Sequence, residues 1–373
     1  MNPLIRLGEL GQSVWYDYIT RDLMASGELT RLITADGLRG MTSNPTIFDK
    51  AVSGSRLYDA DIRHLADEGR SSSEIFEALA VADVQAACDA FLPLYQRTRG
   101  GDGLVSLEVA PALAHDAEAT VTEAERLWSA VNRPNAMIKI PGTRAGLSAI
   151  TRTIAAGINV NVTLLFSVDR YAEVIEAFLS GLERRVERGL PVASIASVAS
   201  FFVSRVDGKV DPLLDAAAQS LSRAGARDGA HLNGKAAIAN ACTAYRRFET
   251  SLTQPRWERL AASGAQPQRP LWASTSTKDP RYPDTYYVEA LVAPRTVNTL
   301  PPETLEAYRD HGNPAARIQE GVAAAPDQLA ELARAGIDLA QVTRELENEG
   351  VEKFAASYRS LLAAIEAKVG QLV

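Results

Sequence analysis

The sequence predicts an α/β chain built as a (β/α)8 TIM barrel with additional helical insertions. Three observations carry that reading. Short apolar, strand-like segments recur eight times along 373 residues. An amphipathic helical pattern separates each from the next, which makes consecutive strands parallel. Eight such units are the number that closes a barrel. The segments are residues 13–17, 40–42, 105–109, 136–140, 158–164, 193–199, 270–275 and 296–298.

The first, Ser13-Val14-Trp15-Tyr16-Asp17, puts Asp17 on one face with Trp15 and Ser13. Successive side chains in a strand point to opposite faces. The second segment, Gly40-Met41-Thr42, runs into Thr42-Ser43-Asn44-Pro45, which alone reads as a turn. In the third, Val105-Ser106-Leu107-Glu108-Val109, Ser106 and Glu108 oppose Val105, Leu107 and Val109. In the fourth, Ala136-Met137-Ile138-Lys139-Ile140, Lys139 shares a face with Met137. The fifth, Ile158-Asn159-Val160-Asn161-Val162-Thr163, alternates apolar and polar without a break. After it, Ser167 is placed to cap a helix, with Asp169 in the first turn, an apolar stripe of Tyr171, Val174, Phe178, Leu182 and Val186, and a stop at Gly189. The sixth leads to Ser200 and Phe201-Phe202-Val203-Ser204-Arg205, and the seventh to Lys278. Two connections, about residues 49–102 and about 207–268, exceed what a minimal barrel needs. Both read as helical insertions, so residues 1–373 are expected to form a single domain.

Composition excludes some classes. A net charge of −7 and a pI near 5.4 argue against general nucleic-acid or anionic-membrane binding, while leaving room for a local basic pocket. Cys88 and Cys242 sit apart in Ala-rich helical patterns and read as reduced core residues. His64, His115, His231 and His311 lack metal-ligand spacing, which argues against a His-based metal site. The start shows no basic region leading into an apolar one, and no long apolar run follows. A cytoplasmic location is expected, with no membrane partner.

The apolar strand faces must meet the helices. Asp17, Glu108, Lys139, Asn161 and Thr163 then point into the barrel, near the C-terminal strand ends where barrel active sites lie. Polar side chains there are costly unless they satisfy one another, water or a ligand. Lys139 is the most telling of them, one of only seven lysines among 39 basic residues. A buried ammonium tends to lose its proton, and the neutral amine forms Schiff bases with carbonyls. A snorkelling or ion-paired lysine on an edge strand is the alternative from that segment alone.

Taken in order, Ser13-Val14-Trp15-Tyr16-Asp17, Gly40-Met41-Thr42-Ser43-Asn44-Pro45-Thr46-Ile47-Phe48, Val105-Ser106-Leu107-Glu108-Val109, Met137-Ile138-Lys139-Ile140-Pro141-Gly142-Thr143 and Asn159-Val160-Asn161-Val162-Thr163-Leu164-Leu165-Phe166-Ser167 resemble the transaldolase family. The later segments Gly234-Lys235-Ala236-Ala237-Ile238-Ala239-Asn240, Ala273-Ser274-Thr275-Ser276-Thr277-Lys278 and Val297-Asn298-Thr299-Leu300-Pro301 look like its bacterial and plant-type subgroup. The resemblance spans almost the whole chain.

It implies a class I, Schiff-base enzyme that needs no cofactor or metal and moves a dihydroxyacetone unit between sugar phosphates in the pentose phosphate pathway. Sedoheptulose 7-phosphate and glyceraldehyde 3-phosphate would give erythrose 4-phosphate and fructose 6-phosphate, reversibly. By the resemblance, Lys139 forms the imine and Glu108 shuttles protons through a water held by Thr163. Asp17 takes and returns the hydroxyl proton at the cleaved bond. Asn44 and Asn161 hold the dihydroxyacetone hydroxyls, with Thr42, Ser106 and Ser200 lining the interior. Phe202 belongs to the segment whose arginine, here Arg205, binds the phosphate. Better-known members supply a second arginine after the seventh strand, where this chain has Lys278. Lysine is a point charge without the bidentate fork, so the departure bears on affinity rather than on the chemistry.

Two other readings stand beside this one. An aldolase releasing free dihydroxyacetone shares the chemistry up to the iminium, although such chains are markedly shorter. A sugar-phosphate-binding protein on the same scaffold would tolerate loss of the lysine or carboxylates, and every expected position is filled. The sequence leaves monomer and homodimer open.

Overall fold

The computed structural model describes residues 2–222 and 230–372. Eight strands, β1 (Gln12–Asp17), β2 (Gly40–Thr42), β3 (Leu104–Glu108), β4 (Ala136–Pro141), β5 (Val160–Leu165), β6 (Ser197–Phe202), β7 (Arg269–Ala273) and β8 (Thr296–Leu300), form a closed barrel in sequence order. Every pairing is parallel, and β8 closes on β1. The (β/α)8 barrel expected from the sequence is therefore the observed architecture.

The register explains how polar side chains collect inside. Asp17 pairs with Thr42, Glu108 with Lys139, Lys139 with Asn161, and Pro141 with Thr163. Paired residues on neighbouring strands face the same side of a sheet. The opposite face, including Val14, Met41, Val105, Leu107, Ile138, Ile140, Val160 and Val162, is buried under the helices. Both long connections are helical as expected. The first holds Pro45–Gly54, Asp59–Asp67 and Ser72–Arg97, and the second holds Ser204–Ser222, Ala236–Ser251 and Pro255–Ala262. Within the second, residues 223–229 lie outside the described residues.

Three sequence expectations need correction. The sixth strand starts at Ser197 rather than 193, because Val192 and Ile195 are buried in a turn closed by the Ile195 N–H on the Val192 carbonyl. The fifth starts at Val160, since the Asn159 amide is used as a brace. It donates to the Pro134 and Ala136 carbonyls and accepts from Ala196 N–H, tying three strand entries together. The helix Val168–Glu187 is capped by Ser167 as expected, but Val186 is 41% exposed. Arg185 occupies the buried position of that turn, donating to the Pro191 and Ala155 carbonyls.

The two mouths of the barrel differ. At the N-terminal mouth, Arg269 donates to Ser13 Oγ (2.9 Å), Asp102 Oδ1 (3.2 Å) and the Gly101 carbonyl (2.6 Å). Arg39 adds an ion pair to Asp102 Oδ2 at 3.3 Å. Above this plug the fully buried Trp15 fills the bore. The short strand β2 makes room by placing Gly40 beside it, where a Cβ would lie 2.5 Å from the indole.

Gly40→Ala is expected to cost about 1–3 kcal/mol through overpacking, seen as a lower thermal midpoint. Gly54→Ala, with nothing within 4 Å of the added methyl, should be neutral or slightly stabilising.

Candidate active site

A cavity of about 930 Å³ opens at the C-terminal ends of the strands. Of the residues singled out in the sequence, Asp17, Thr42, Asn44, Lys139, Thr163, Ser200, Phe202, Arg205 and Lys278 line it. Glu108, Ser106 and Asn161 do not line it: Glu108 makes a charge contact with Lys139, and Ser106 and Asn161 are hydrogen-bonded in a chain to Ser200.

Lys139 is held from several directions. Its residue exposure is 4%, and Nζ donates to the Ser43 carbonyl at 3.2 Å. Glu108 Oε2 stands 3.4 Å from Nζ, a charge contact rather than an aligned hydrogen bond. The Phe354 ring covers the ammonium at 5.6 Å to its centroid, within cation–π range. The surroundings are thus polar beside the amine and aromatic above it, not the uniformly apolar interior that its segment suggests.

The turn after β2 supplies part of this grip. Ser43 Oγ donates to the Ser106 carbonyl at 2.7 Å, pinning the turn to β3. Asn44 caps the helix Pro45–Gly54 by accepting from Ile47 N–H at 3.1 Å, and Pro45 supplies the preset first helical position. The turn reading of this segment and its place in the site hold together: the cap fixes the side chain that lines the cavity.

Two buried hydroxyl and amide chains cross the strands. Ser200 Oγ donates to Asn161 Oδ1 at 2.7 Å, and Asn161 Nδ2 donates to Ser106 Oγ at 3.0 Å. On the other wall Thr42 Oγ1 donates to Asp17 Oδ1 at 2.6 Å and lies 2.7 Å from Thr299 Oγ1. Thr163 Oγ1 and Glu108 Oε2 are buried without a hydrogen-bond partner among the described protein groups. Such atoms mark a place for water or substrate.

Burial dominates the acid–base state of both carboxyls. It pushes Glu108 up to about 7, against the pull of Lys139 and with a small push from Asp17. Asp17 is also raised by burial, opposed by Lys139 and by its bond from Thr42. At the far end of the cavity, Arg205 stands 5.0 Å over the Phe202 ring, and Phe202 packs on Phe166 at 5.1 Å. Lys278 reaches the cavity from an exposed position.

Sequence reasoning missed the roof. The helix Leu339–Leu372 lays Leu346, Glu349, Lys353 and Phe354 over the mouth. Thr46 donates to its Ser357 (2.8 Å), and its Lys368 binds Asp59 Oδ1 (2.6 Å). Thr299 was also missed: it shares a face with Val297, and pairing with Trp15 turns that face into the barrel. Glu303, in the first turn of the helix Pro302–His311, lines the cavity as well.

The family model Transaldolase/Fructose-6-phosphate aldolase matches residues 14–365. The chain belongs to that family. It is 50% identical to the transaldolase of Frankia alni over 371 residues, covering 99% of this chain and 98% of the relative. It is 51% identical to that of Acidothermus cellulolyticus over 365 residues, covering 98% and 96%. With that of Trichodesmium erythraeum it shares 44% over 374 residues, covering 100% and 98%. The cavity thus belongs to an enzyme of the transaldolase family, a transferase.

Removing the Lys139 ammonium removes a pull on its carboxylate neighbour. Lys139→Met is therefore expected to move Glu108 above its value of about 7, followed by infrared or carbon NMR titration of the labelled carboxyl. A downward move would mean that the two groups do not face each other in solution.

Proposed function

We propose that this protein transfers a dihydroxyacetone unit from sedoheptulose 7-phosphate or fructose 6-phosphate to an aldose phosphate through an imine on Lys139. The observation that carries the reading is the set Lys139, Thr163 and Asp17 lining the cavity, with Glu108 buried 3.4 Å from the Lys139 amine. A single-domain, cytoplasmic enzyme with sugar-phosphate substrates belongs to the same reading. Among the described residues no helix is long and apolar enough to cross a membrane.

The steps follow from the groups present. The Lys139 amine attacks the ketose C2, and its surplus proton has the Glu108 carboxylate 3.4 Å away. The carbinolamine loses its hydroxyl as water, protonated by Glu108 through a water seated on Thr163 Oγ1. A carboxyl titrating near 7 both gives and takes protons at neutral pH, the condition for general acid–base work. The iminium then draws the electron pair of the breaking C3–C4 bond while Asp17 removes the C4 hydroxyl proton. The aldose phosphate departs and leaves an enamine on Lys139. The acceptor aldehyde enters, the enamine carbon attacks it, and Asp17 returns the proton to the new hydroxyl. Hydrolysis of the imine releases the product ketose.

In this reading Asn161 and Asn44 hold the dihydroxyacetone hydroxyls. Ser200 and Ser106 orient the Asn161 amide from either side, and Thr42 orients Asp17. Arg205 and Lys278 receive the phosphate. The roof formed by Phe354 and Leu346 favours transfer over release, because a covered enamine meets less water.

Borohydride trapping with fructose 6-phosphate should leave a reduced three-carbon adduct on Lys139, located by peptide mass mapping; Lys139→Ala should give none and show no turnover. An adduct on another lysine would remove Lys139 from the mechanism. Asp17→Asn should still form the imine while transfer falls by roughly 10²–10⁴-fold, the scale of a lost acid–base group. Release of dihydroxyacetone at a comparable rate without erythrose 4-phosphate would instead support the aldolase reading.

A further inference from the structure

The phosphate end of the cavity is assembled from two segments far apart in sequence. The helix Ser204–Ser222 carries Arg205 in its first turn, and residues 274–285 after β7 carry Lys278. Their relative placement sets the distance between the two cations, and something must hold it.

Asp207 and Asp211 lie one turn apart on that helix, only 1% and 2% exposed. Residues at this spacing share a helix face. Their hydrogen-bond donors come from elsewhere. Asp207 accepts from Ala237 N–H at 2.7 Å and Tyr287 O–H at 3.0 Å. Asp211 accepts from Gly234 N–H at 3.0 Å and Tyr282 O–H at 2.6 Å, with Arg281 at 3.8 Å. The tyrosines belong to the Lys278 segment and the short helix Tyr286–Ala290 that follows it.

The contacts are shaped for each other. Tyr282 and Tyr286 stack at 5.3 Å with planes 18° apart, and Tyr286 O–H donates to the Gly234 carbonyl at 3.0 Å. Gly234 has φ +74, and a Cβ there would meet the Tyr282 ring at 2.7 Å. Nearer the strands, Ser204 N–H donates to the Ser274 carbonyl at 2.9 Å, with Ser274 held at φ 56. A non-glycine residue in the left-handed region persists only when its surroundings enforce it. Buried carboxylates are an expensive way to join two segments if packing alone were needed. What they add is direction.

We infer that Asp207 and Asp211 are positioning residues: through Tyr287 and Tyr282 they lock the Lys278 segment onto the Arg205 helix and so set the spacing of the cations facing the substrate phosphate. The inference rests on the reading of Arg205 and Lys278 as phosphate ligands.

Tyr282→Phe and Asp211→Asn, checked for native circular dichroism, are compared with Arg205→Ala. Each is assayed at saturating donor with glyceraldehyde 3-phosphate or unphosphorylated glyceraldehyde as acceptor, and for inhibition by inorganic phosphate. In the two clamp variants KM for glyceraldehyde 3-phosphate should rise roughly tenfold, the scale of one charge-assisted hydrogen bond. Inhibition by phosphate should weaken in parallel. Turnover number, and kcat/KM for glyceraldehyde, should hold. Equal losses with both acceptors would reduce the clamp to a structural role and overturn the inference. Loss of phosphate preference in Arg205→Ala but in neither clamp variant would overturn the inference alone. Retained preference in Arg205→Ala would overturn the phosphate reading and the inference with it.

Discussion

A lysine placed inside a barrel has to be answered by its neighbours, and most of this interior is organised around Lys139. A buried amine is tolerated only where charge and hydrogen bonds are arranged around it. The register puts Glu108 and Asn161 on the strands to either side of it. The Ser43 carbonyl reaches it from the turn after β2, a turn itself pinned to β3. Asn161 is in turn fixed by Ser106 and Ser200, and Asp17 by Thr42. The two orphaned atoms, on Glu108 and Thr163, stand where the chain of protein donors and acceptors stops.

Much of this was legible in the sequence because strand alternation is a strict geometric rule. Once eight segments and their parity were read, the inward placement of Asp17, Glu108, Lys139, Asn161 and Thr163 followed, and the register bears it out. Errors fell at strand entries, where Val192, Ile195 and Asn159 are buried for reasons that imitate a strand. They fell too at Val186, since helical periodicity does not report where a helix leaves its neighbour. The roof was invisible for a stronger reason: no local pattern says that Phe354 comes to rest above Lys139, a placement decided by docking of Leu339–Leu372 on the barrel.

The opposite ends of the bore solve opposite problems. At the N-terminal mouth, Arg269, Asp102, Ser13 and Arg39 are paired with one another around a smaller cavity of about 400 Å³. At the C-terminal mouth, polar groups are left partly unsatisfied and two carboxyls are raised by burial. Trp15, seated beside Gly40, separates the two regimes. The ion-paired end ties Ser13, Asp102 and Arg269 together, and the C-terminal end holds the groups to which the chemistry is assigned.

The distribution of the reactive groups around the ring has an evolutionary consequence. Glu108, Lys139 and Thr163 occupy the adjoining strands β3, β4 and β5, whereas Asp17, Thr42 and Thr299 occupy β1, β2 and β8. On the proposed reading, carbonyl capture belongs to the first arc, and the group assigned to bond cleavage stands in the other. The arcs can diverge separately. On that reading, a descendant of this barrel can keep its way of seizing a ketone while the other arc changes which bond is broken.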